Sequence, residues 1–223
     1  MMAAFVIPLI AEAKSVKISV IPSDAKIFVD GNYVSDGITT ASFGTKDEFL
    51  VVKMEREGYV TLETKVYKKD KRKAVSYTMK RDLFYDGSVM SGSANRFFSQ
   101  EISEDYVKQA KNEKEASILA WKMIHQVILN YFDEIESSDQ LSGFIQTPWA
   151  YKTFADANVQ VRTRVTVKES NIGGKLTYQM KITSEVAPMN ANRYRDESFR
   201  ETTRVLKEFE PIISEFQTRL GKL

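Results

Sequence analysis

A period-two alternation of apolar and polar side chains dominates the first third of this chain and restricts what that part can form. It is clearest in residues 16–20 and recurs in residues 25–29. Because a period of two places every second side chain on one face of a β-strand, both segments predict half-buried strands. Further strands are predicted at 49–54, 59–66 and 75–79, with turn residues between them. Strands at this spacing favour a small all-β sandwich over residues 14–82.

Short motifs in the same region resemble those of the PEGA domain family. In chain order they are Pro22-Ser23-Asp24-Ala25, Val29-Asp30-Gly31, Gly37-Ile38-Thr39-Thr40 and Gly58-Tyr59. The resemblance covers roughly residues 15–80 and departs from the family at Thr40, where the family often has proline. It implies a small β-sandwich attached to bacterial envelope and surface proteins, and it implies no catalysis. We interpret Asp30 as a residue that accepts hydrogen bonds from turn amides, in preference to a metal ligand or a catalytic acid.

The N-terminus predicts export. Residues 3–11 carry no charge, and Ala11-Glu12-Ala13 places small residues where signal peptidase requires them. The apolar run is too short to cross a bilayer, and no later segment approaches the ~20 apolar residues of a transmembrane helix. No basic residue precedes the run, so either the true start lies upstream or residues 1–13 are a buried strand or helix of a cytoplasmic protein. We predict a periplasmic or cell-surface protein that begins near Lys14 after cleavage.

Composition narrows the classes of function. The chain has 32 Lys and Arg against 30 Asp and Glu, and a net charge of +2 provides no global field that would attract nucleic acid. Cysteine is absent, which excludes disulfides, thiolate metal sites and a cysteine nucleophile. A chain without cysteine is compatible with an oxidising bacterial periplasm or surface.

The periodicity changes after residues 83–100, which are rich in Gly, Ser and Asn and which we interpret as a linker with room for a short strand. Residues 101–223 then predict an α+β domain with the chain order helix, antiparallel strands, helix, in which the two long helices pack on the apolar face of the sheet and leave its polar face open. The first helix carries an apolar stripe to about residue 135, and its polar first turns form either a separate helix or an exposed overhang. The strands are predicted at 143–154, 158–170 and 175–186, and the second helix at 196–220.

Two prolines mark irregularities in this second domain. Pro148 should place a bulge in the strand 143–154 or confine it to an edge, and Pro211 should kink the closing helix. The order of helix, antiparallel strands and helix is similar to that of helix-grip domains of envelope proteins. We therefore predict a two-domain protein with an all-β first domain and an α+β second domain.

Residues suited to catalysis are scattered. The one histidine, His125, lies on or beside the apolar stripe of the first long helix, where a packed and hydrogen-bonded role is expected. There is no Gly-x-Ser-x-Gly stretch, and Gly173-Gly174-Lys175 lacks the spacing of a phosphate-binding loop. We predict no catalytic residue, no metal ligand and no cofactor.

The polar face of the second domain's sheet is the candidate binding site. Arg162, Arg164 and Lys168 project from the same side of one strand, and the aromatic strand before it carries Trp149 and Tyr151. Aromatic rings that stack and arginines that pair would suit an anionic or glycan-like ligand or a partner protein. The alternative is a solvated sheet face with cross-strand ion pairs.

These observations predict an exported envelope protein without catalytic activity. Its partner would be an envelope protein or polysaccharide of the cell surface, which it would bind or assemble with. The rival hypothesis is an envelope hydrolase that acts on glycan or lipid.

Overall fold

A computed structural model describes residues 14–170 and 174–221, so the predicted signal segment, residues 1–13, lies outside the described residues. The chain divides into two compact units between Asp82 and Leu83. Each unit has its own hydrophobic core. The predicted fold class is confirmed, because the first unit is built of strands and the second combines an antiparallel sheet with helices.

The described residues of the first unit form seven strands in two sheets. They are β1 (Ser15–Ile21), β2 (Lys26–Val29), β3 (Asn32–Asp36), β4 (Ile38–Ser42), β5 (Phe49–Glu55), β6 (Leu62–Tyr67) and β7 (Ala74–Thr78). One sheet has the order β4-β1-β7 and the other the order β3-β2-β5-β6. Inward-facing side chains of both sheets, such as Ile18 and Ile27, are completely buried in one shared core. The alternation in the sequence therefore describes this unit well, although β3 and β4, which have no buried residue, are not predicted by it.

The turn between β2 and β3 shows what Asp30 does. Asp30 and Gly31 both have positive φ, 47° and 82°, as tight hairpin turns require. The backbone N–H of Val51 donates to Asp30 Oδ1 at 2.9 Å, and the backbone N–H of Asp30 donates to the Val51 carbonyl at 2.8 Å. The carboxylate thus accepts a hydrogen bond from the neighbouring strand β5. The prediction was that it accepts hydrogen bonds from the amides of its own turn, and that prediction is wrong.

The second unit packs helices against one face of an antiparallel sheet. Its strands are β8 (Ser88–Met90), β9 (Phe98–Glu101), β10 (Ser137–Asp139), β11 (Phe144–Gln146), β12 (Ala150–Phe154), β13 (Val159–Glu169), β14 (Thr177–Pro188), β15 (Arg200–Glu201) and β16 (Arg204–Leu206). Its helices are α1 (Leu83–Gly87), α2 (Glu104–Gln109), α3 (Glu113–Leu129) and α4 (Pro211–Gly221). The main sheet has the order β10-β11-β13-β14-β15, with β12 also paired to β13 and β9 to β14. The core lies where α3 and α4 cover Val161, Val165 and Val167 of β13.

Residues 83–100, predicted as a linker, belong to the second unit and carry α1, β8 and β9. Strand β9 extends the main sheet through β14, and β8 pairs with β16. The two strands are only four and three residues long, so they are too short to display a period among the Gly and Ser residues around them.

The closing helix is shorter than predicted, because residues 196–206 form a 3-10 turn (Asp196–Ser198) followed by β15 and β16. Pro211 begins α4 and does not kink it. Proline suits the first helical position, where its missing N–H would have no helical partner and its φ already fits. Pro148, in contrast, interrupts its strand as predicted, and the two halves, β11 and β12, pair with successive parts of β13.

The first long helix is divided into α2 and α3, one of the two arrangements predicted for its polar turns. Asn112 caps α3, since its side chain accepts from the backbone N–H of Glu115 at 3.0 Å. None of the helices in the described part of the chain has both the length and the apolar character needed to cross a bilayer.

Candidate functional site

Strands β13 and β14 form a long antiparallel ladder that separates two sets of side chains. Valines 161, 165 and 167 point toward the helices and are completely buried. The side chains of alternate residues point the other way, and we call this side of the sheet the polar face. It consists of Gln160, Arg162, Arg164, Thr166 and Lys168 from β13 and Gln179, Lys181, Thr183 and Glu185 from β14.

Arg162 is enclosed within the protein, which corrects its predicted role as an available ligand-binding residue. Its guanidinium is 2.6 Å from a carboxylate oxygen of Glu185 and 2.6 Å from one of Asp196. It also lies between the rings of Trp149 and Phe199, 4.1 and 4.0 Å from their centroids. Burial lowers the pKa of Arg162, but the hydrogen bonds to Asp196 and Glu185 outweigh that effect and the pKa is raised. The charge of Arg162 is therefore neutralised internally.

The segment 189–199 covers the Arg162 end of the polar face. The Gln160 amide donates to the carbonyl of Ala191 at 2.7 Å, and Arg193 donates back to Gln160 Oε1 at 3.2 Å. Tyr151 donates its hydroxyl to the Arg193 carbonyl at 3.2 Å, and its ring meets Phe199 edge-on at 6.3 Å. Tyr151, a predicted binding residue, thus supports this covering segment.

Arg164 has a different environment from Arg162. Its guanidinium lies over Trp149, 4.2 Å from the ring centroid, and no acidic side chain among the described residues forms an ion pair with it. Thr183 stands directly opposite Arg164 across the ladder and is 5 % exposed. Arg164 Nε and Thr183 Oγ1 are both buried and have no hydrogen-bond partner in the described part of the chain. Buried polar atoms are nearly always satisfied, so this pair is an exception, and the partly exposed remainder of the Arg164 side chain is the part that a ligand can reach.

Lys168 and Lys181 converge on one aromatic ring at the other end of the polar face. Their Nζ atoms are 4.2 and 5.1 Å from the centroid of Phe97, and neither forms an ion pair with a described residue. Thr166, only 8 % exposed, lies directly opposite Lys181 on the ladder. Of the residues predicted for the site, Arg164 and Lys168 thus lie on the polar face without an acidic partner in the described chain, and Trp149 lies against Arg164.

Three residues of the site were missed by sequence reasoning. Lys181 and Thr183 could have been found, since they alternate on the strand predicted at 175–186 and face the same side as the arginines. Phe97 could not, because it lies in the segment predicted as a linker.

His125 is packed and hydrogen-bonded, as predicted. Its Nδ1 lies 2.9 Å from the Trp121 carbonyl, and its Nε2 lies 2.8 Å from Ser138 Oγ. Both ring nitrogens are thus engaged within the protein. Across residues 14–170 and 174–221, no group of three or more His, Cys, Asp or Glu side chains is arranged to hold a metal ion.

A cavity of about 630 Å³ lies on the opposite, helical side of the sheet, between α2, the start of α3 and the start of β14. Ser117 and Glu169 line it. The hydroxyl of the fully buried Tyr178 is 3.4 Å from Ser117 Oγ and 3.4 Å from Glu169 Oε2. Burial raises the pKa of Tyr178 to about 12, and the negative charge of Glu169 adds to the effect.

Comparison with known proteins gives little further guidance. No protein-family model and no curated protein matches the chain. Among solved structures, the chain is similar to a Bacteroides fragilis protein of unknown function that is provisionally described as membrane-associated. The two are 10% identical, and the alignment covers 77% of this chain and 96% of that one with a TM-score of 0.26. A likeness at that level carries no argument about function, and the PEGA resemblance stays a prediction.

Proposed function

We propose that this chain is an exported, non-catalytic envelope protein that binds an anionic cell-surface component with the polar face of its second unit. One observation carries the proposal. Arg164, Lys168 and Lys181 share one sheet face, and none of them has an acidic partner among the described residues. Clustered cations without counter-charges attract anions and lower the free energy of an anionic complex.

The aromatic rings on this face favour a glycan that carries acidic groups. Trp149 and Phe97 flank the cations, and Phe97, which is 39 % exposed, offers an apolar surface against which the apolar face of a sugar ring can pack. The overall net charge of +2 argues against a general nucleic-acid binder, since binding of that kind depends on many phosphate contacts. We therefore propose an acidic polysaccharide of the envelope as the partner.

The envelope location is supported by the N-terminal sequence. The uncharged residues 3–11, the Ala-Glu-Ala site that follows them and the absence of cysteine all fit an exported chain. The resemblance of residues 15–80 to the PEGA family points in the same direction. We do not extend the proposal to an envelope hydrolase, because Glu185, a carboxylate on the polar face, is held by Arg162.

The proposal is tested by sedimentation of the full chain with isolated bacterial envelope fractions. The variant Arg164→Gln/Lys168→Gln/Lys181→Gln removes the three cations and should reduce retention at least tenfold. The matched control Lys17→Gln/Lys71→Gln/Lys73→Gln removes three exposed lysines of the first unit and should be retained like the wild type. Raising the salt concentration should weaken retention of the wild type and the control alike. Equal retention of both variants would refute the proposal.

A further inference from the structure

We infer that the polar face has two separate anion-binding points, so that its ligand is a linear polyanion, an acidic polysaccharide with a charge on successive sugars. This inference rests on the proposed function and specifies the class of ligand. It follows from the positions of the unpaired cations, which fall into two groups at different places along the ladder.

The first point is formed by Arg164 and Thr183 beside Trp149. These two residues are direct cross-strand partners, and partners of this kind have Cβ atoms about 5 Å apart. The Arg164 side chain is partly exposed, and its guanidinium lies over Trp149 with no acidic partner in the described chain. One carboxylate of a ligand would pair with this guanidinium in a charge-assisted hydrogen bond.

The second point is formed by Lys168 and Lys181 beside Phe97. Both ammonium groups approach the same ring, at 4.2 and 5.1 Å from its centroid, and the two lysines are diagonal neighbours on the ladder. Two like charges repel each other, and an anion bound near both of them adds two attractive interactions that offset the repulsion. A second carboxylate of the ligand would be bound here.

The two points occupy different places on the sheet. Lys181 is one row along the ladder from Arg164 and Lys168 is two rows, which correspond to about 7 and 13 Å at the usual rise of a strand. Trp149 immediately precedes β12, which pairs with β13, whereas Phe97 immediately precedes β9, which pairs with β14. The rings therefore approach the β13–β14 pair from opposite sides. A polymer with regularly repeated charges can reach both points at once.

The test compares ligands that differ in the number of charged sugars or in the presence of the charges. Galacturonic acid, its linear hexamer and the fully methyl-esterified hexamer are titrated into the full chain by isothermal calorimetry. Because binding at one point raises the effective concentration of the next charge at the other, the hexamer should bind at least tenfold more tightly than the monomer. The uncharged ester should not bind measurably.

Variants then separate the two points. Arg164→Gln alone, or Lys168→Gln/Lys181→Gln, should each reduce the affinity for the hexamer about tenfold and change that for the monomer by no more than about twofold. The wild-type comparison of monomer with hexamer needs no variant, so it stands even if a variant folds poorly.

Three results would overturn part or all of the proposal. Equal affinity of the wild type for monomer and hexamer overturns the two-point inference and leaves anion binding intact. A linear polyphosphate that binds more tightly than the hexamer overturns the assignment to an acidic polysaccharide. If no anionic probe binds the wild type, both the inference and the proposed function are overturned.

Discussion

Replacement of Arg162 by alanine should destabilise the second unit more than replacement of any other cation of the polar face. Arg162 is 3 % exposed, and its ion-pair partner Glu185 has a side chain that is 17 % exposed. The alanine variant would leave the Glu185 carboxylate in this poorly hydrated site without its counter-charge. It would also remove the cation that lies between Trp149 and Phe199.

The size of the effect follows from these contacts. Removal of one member of a buried ion pair costs about 3–5 kcal/mol, and the residual exposure of Glu185 places this case at the lower end. Loss of the two ring contacts adds about 1 kcal/mol. The pair with Asp196 adds little, because that side chain is 85% exposed and solvent screens it. We expect a loss of about 4 kcal/mol in the free energy of unfolding.

The matched control is Arg164→Ala on the same strand. Arg164 contacts one ring and has no ion-pair partner in the described chain, so its removal should cost about 1 kcal/mol or less. Urea unfolding followed by tryptophan fluorescence measures both variants, since the two tryptophans, Trp121 and Trp149, lie in the second unit.

A double variant keeps this test decisive if Arg162→Ala is too unstable to study. Arg162→Leu/Glu185→Leu replaces the pair by apolar side chains and should recover at least half of the lost stability. Our account of the polar face would be wrong if Arg162→Ala and Arg164→Ala cost the same, or if the double variant were less stable than Arg162→Ala.

Two further predictions concern other parts of the chain. Gly31→Ala should lower the free energy of unfolding by about 1 kcal/mol, because of its positive φ alone. Gly37→Ala should lower it by about 3 kcal/mol, because its added Cβ would also overlap the Ser23 carbonyl. Hydrogen exchange of first-unit amides measures both losses, and equal losses would contradict the close approach of Gly37 to Ser23. Tyr178, whose pKa is raised to about 12, contributes stability that is complete below pH 10 and lost as the pH rises through 12. Tyr178→Phe should therefore lose about 2 kcal/mol less than the wild type between pH 10 and pH 12 in urea titrations, and parallel pH profiles would disprove the assignment.

The sequence was most informative where neighbours in space are also neighbours in the chain. Alternation in 158–170 and 175–186 predicted the β13–β14 ladder and the side on which Arg164 and Lys168 lie. The same rule places Lys181 and Thr183 on that side of the second strand, although neither was among the predicted binding residues. Local periodicity determines which face a side chain occupies, and that part of the site needs no tertiary information.

Periodicity could not reveal which cations are already neutralised. Arg162 and Arg164 occupy equivalent positions on one strand, yet only Arg162 receives Asp196 and Phe199 from a segment about thirty residues later. The same limitation affected residues 196–206, where apolar residues at a helix-like spacing lie in short strands and turns. Phe97 contributes to the site only because β9 pairs with β14, and a four-residue strand leaves no readable pattern.

Asp30 has a consequence for association between molecules. Strand β2 stops at Val29, but the Asp30 backbone and carboxylate continue the hydrogen bonding to Val51 for one more step. The Val51 amide is thereby engaged and cannot template a strand from another chain. A single turn residue thus closes the stretch of β5 that β2 leaves uncovered, so no strand of another molecule can pair there.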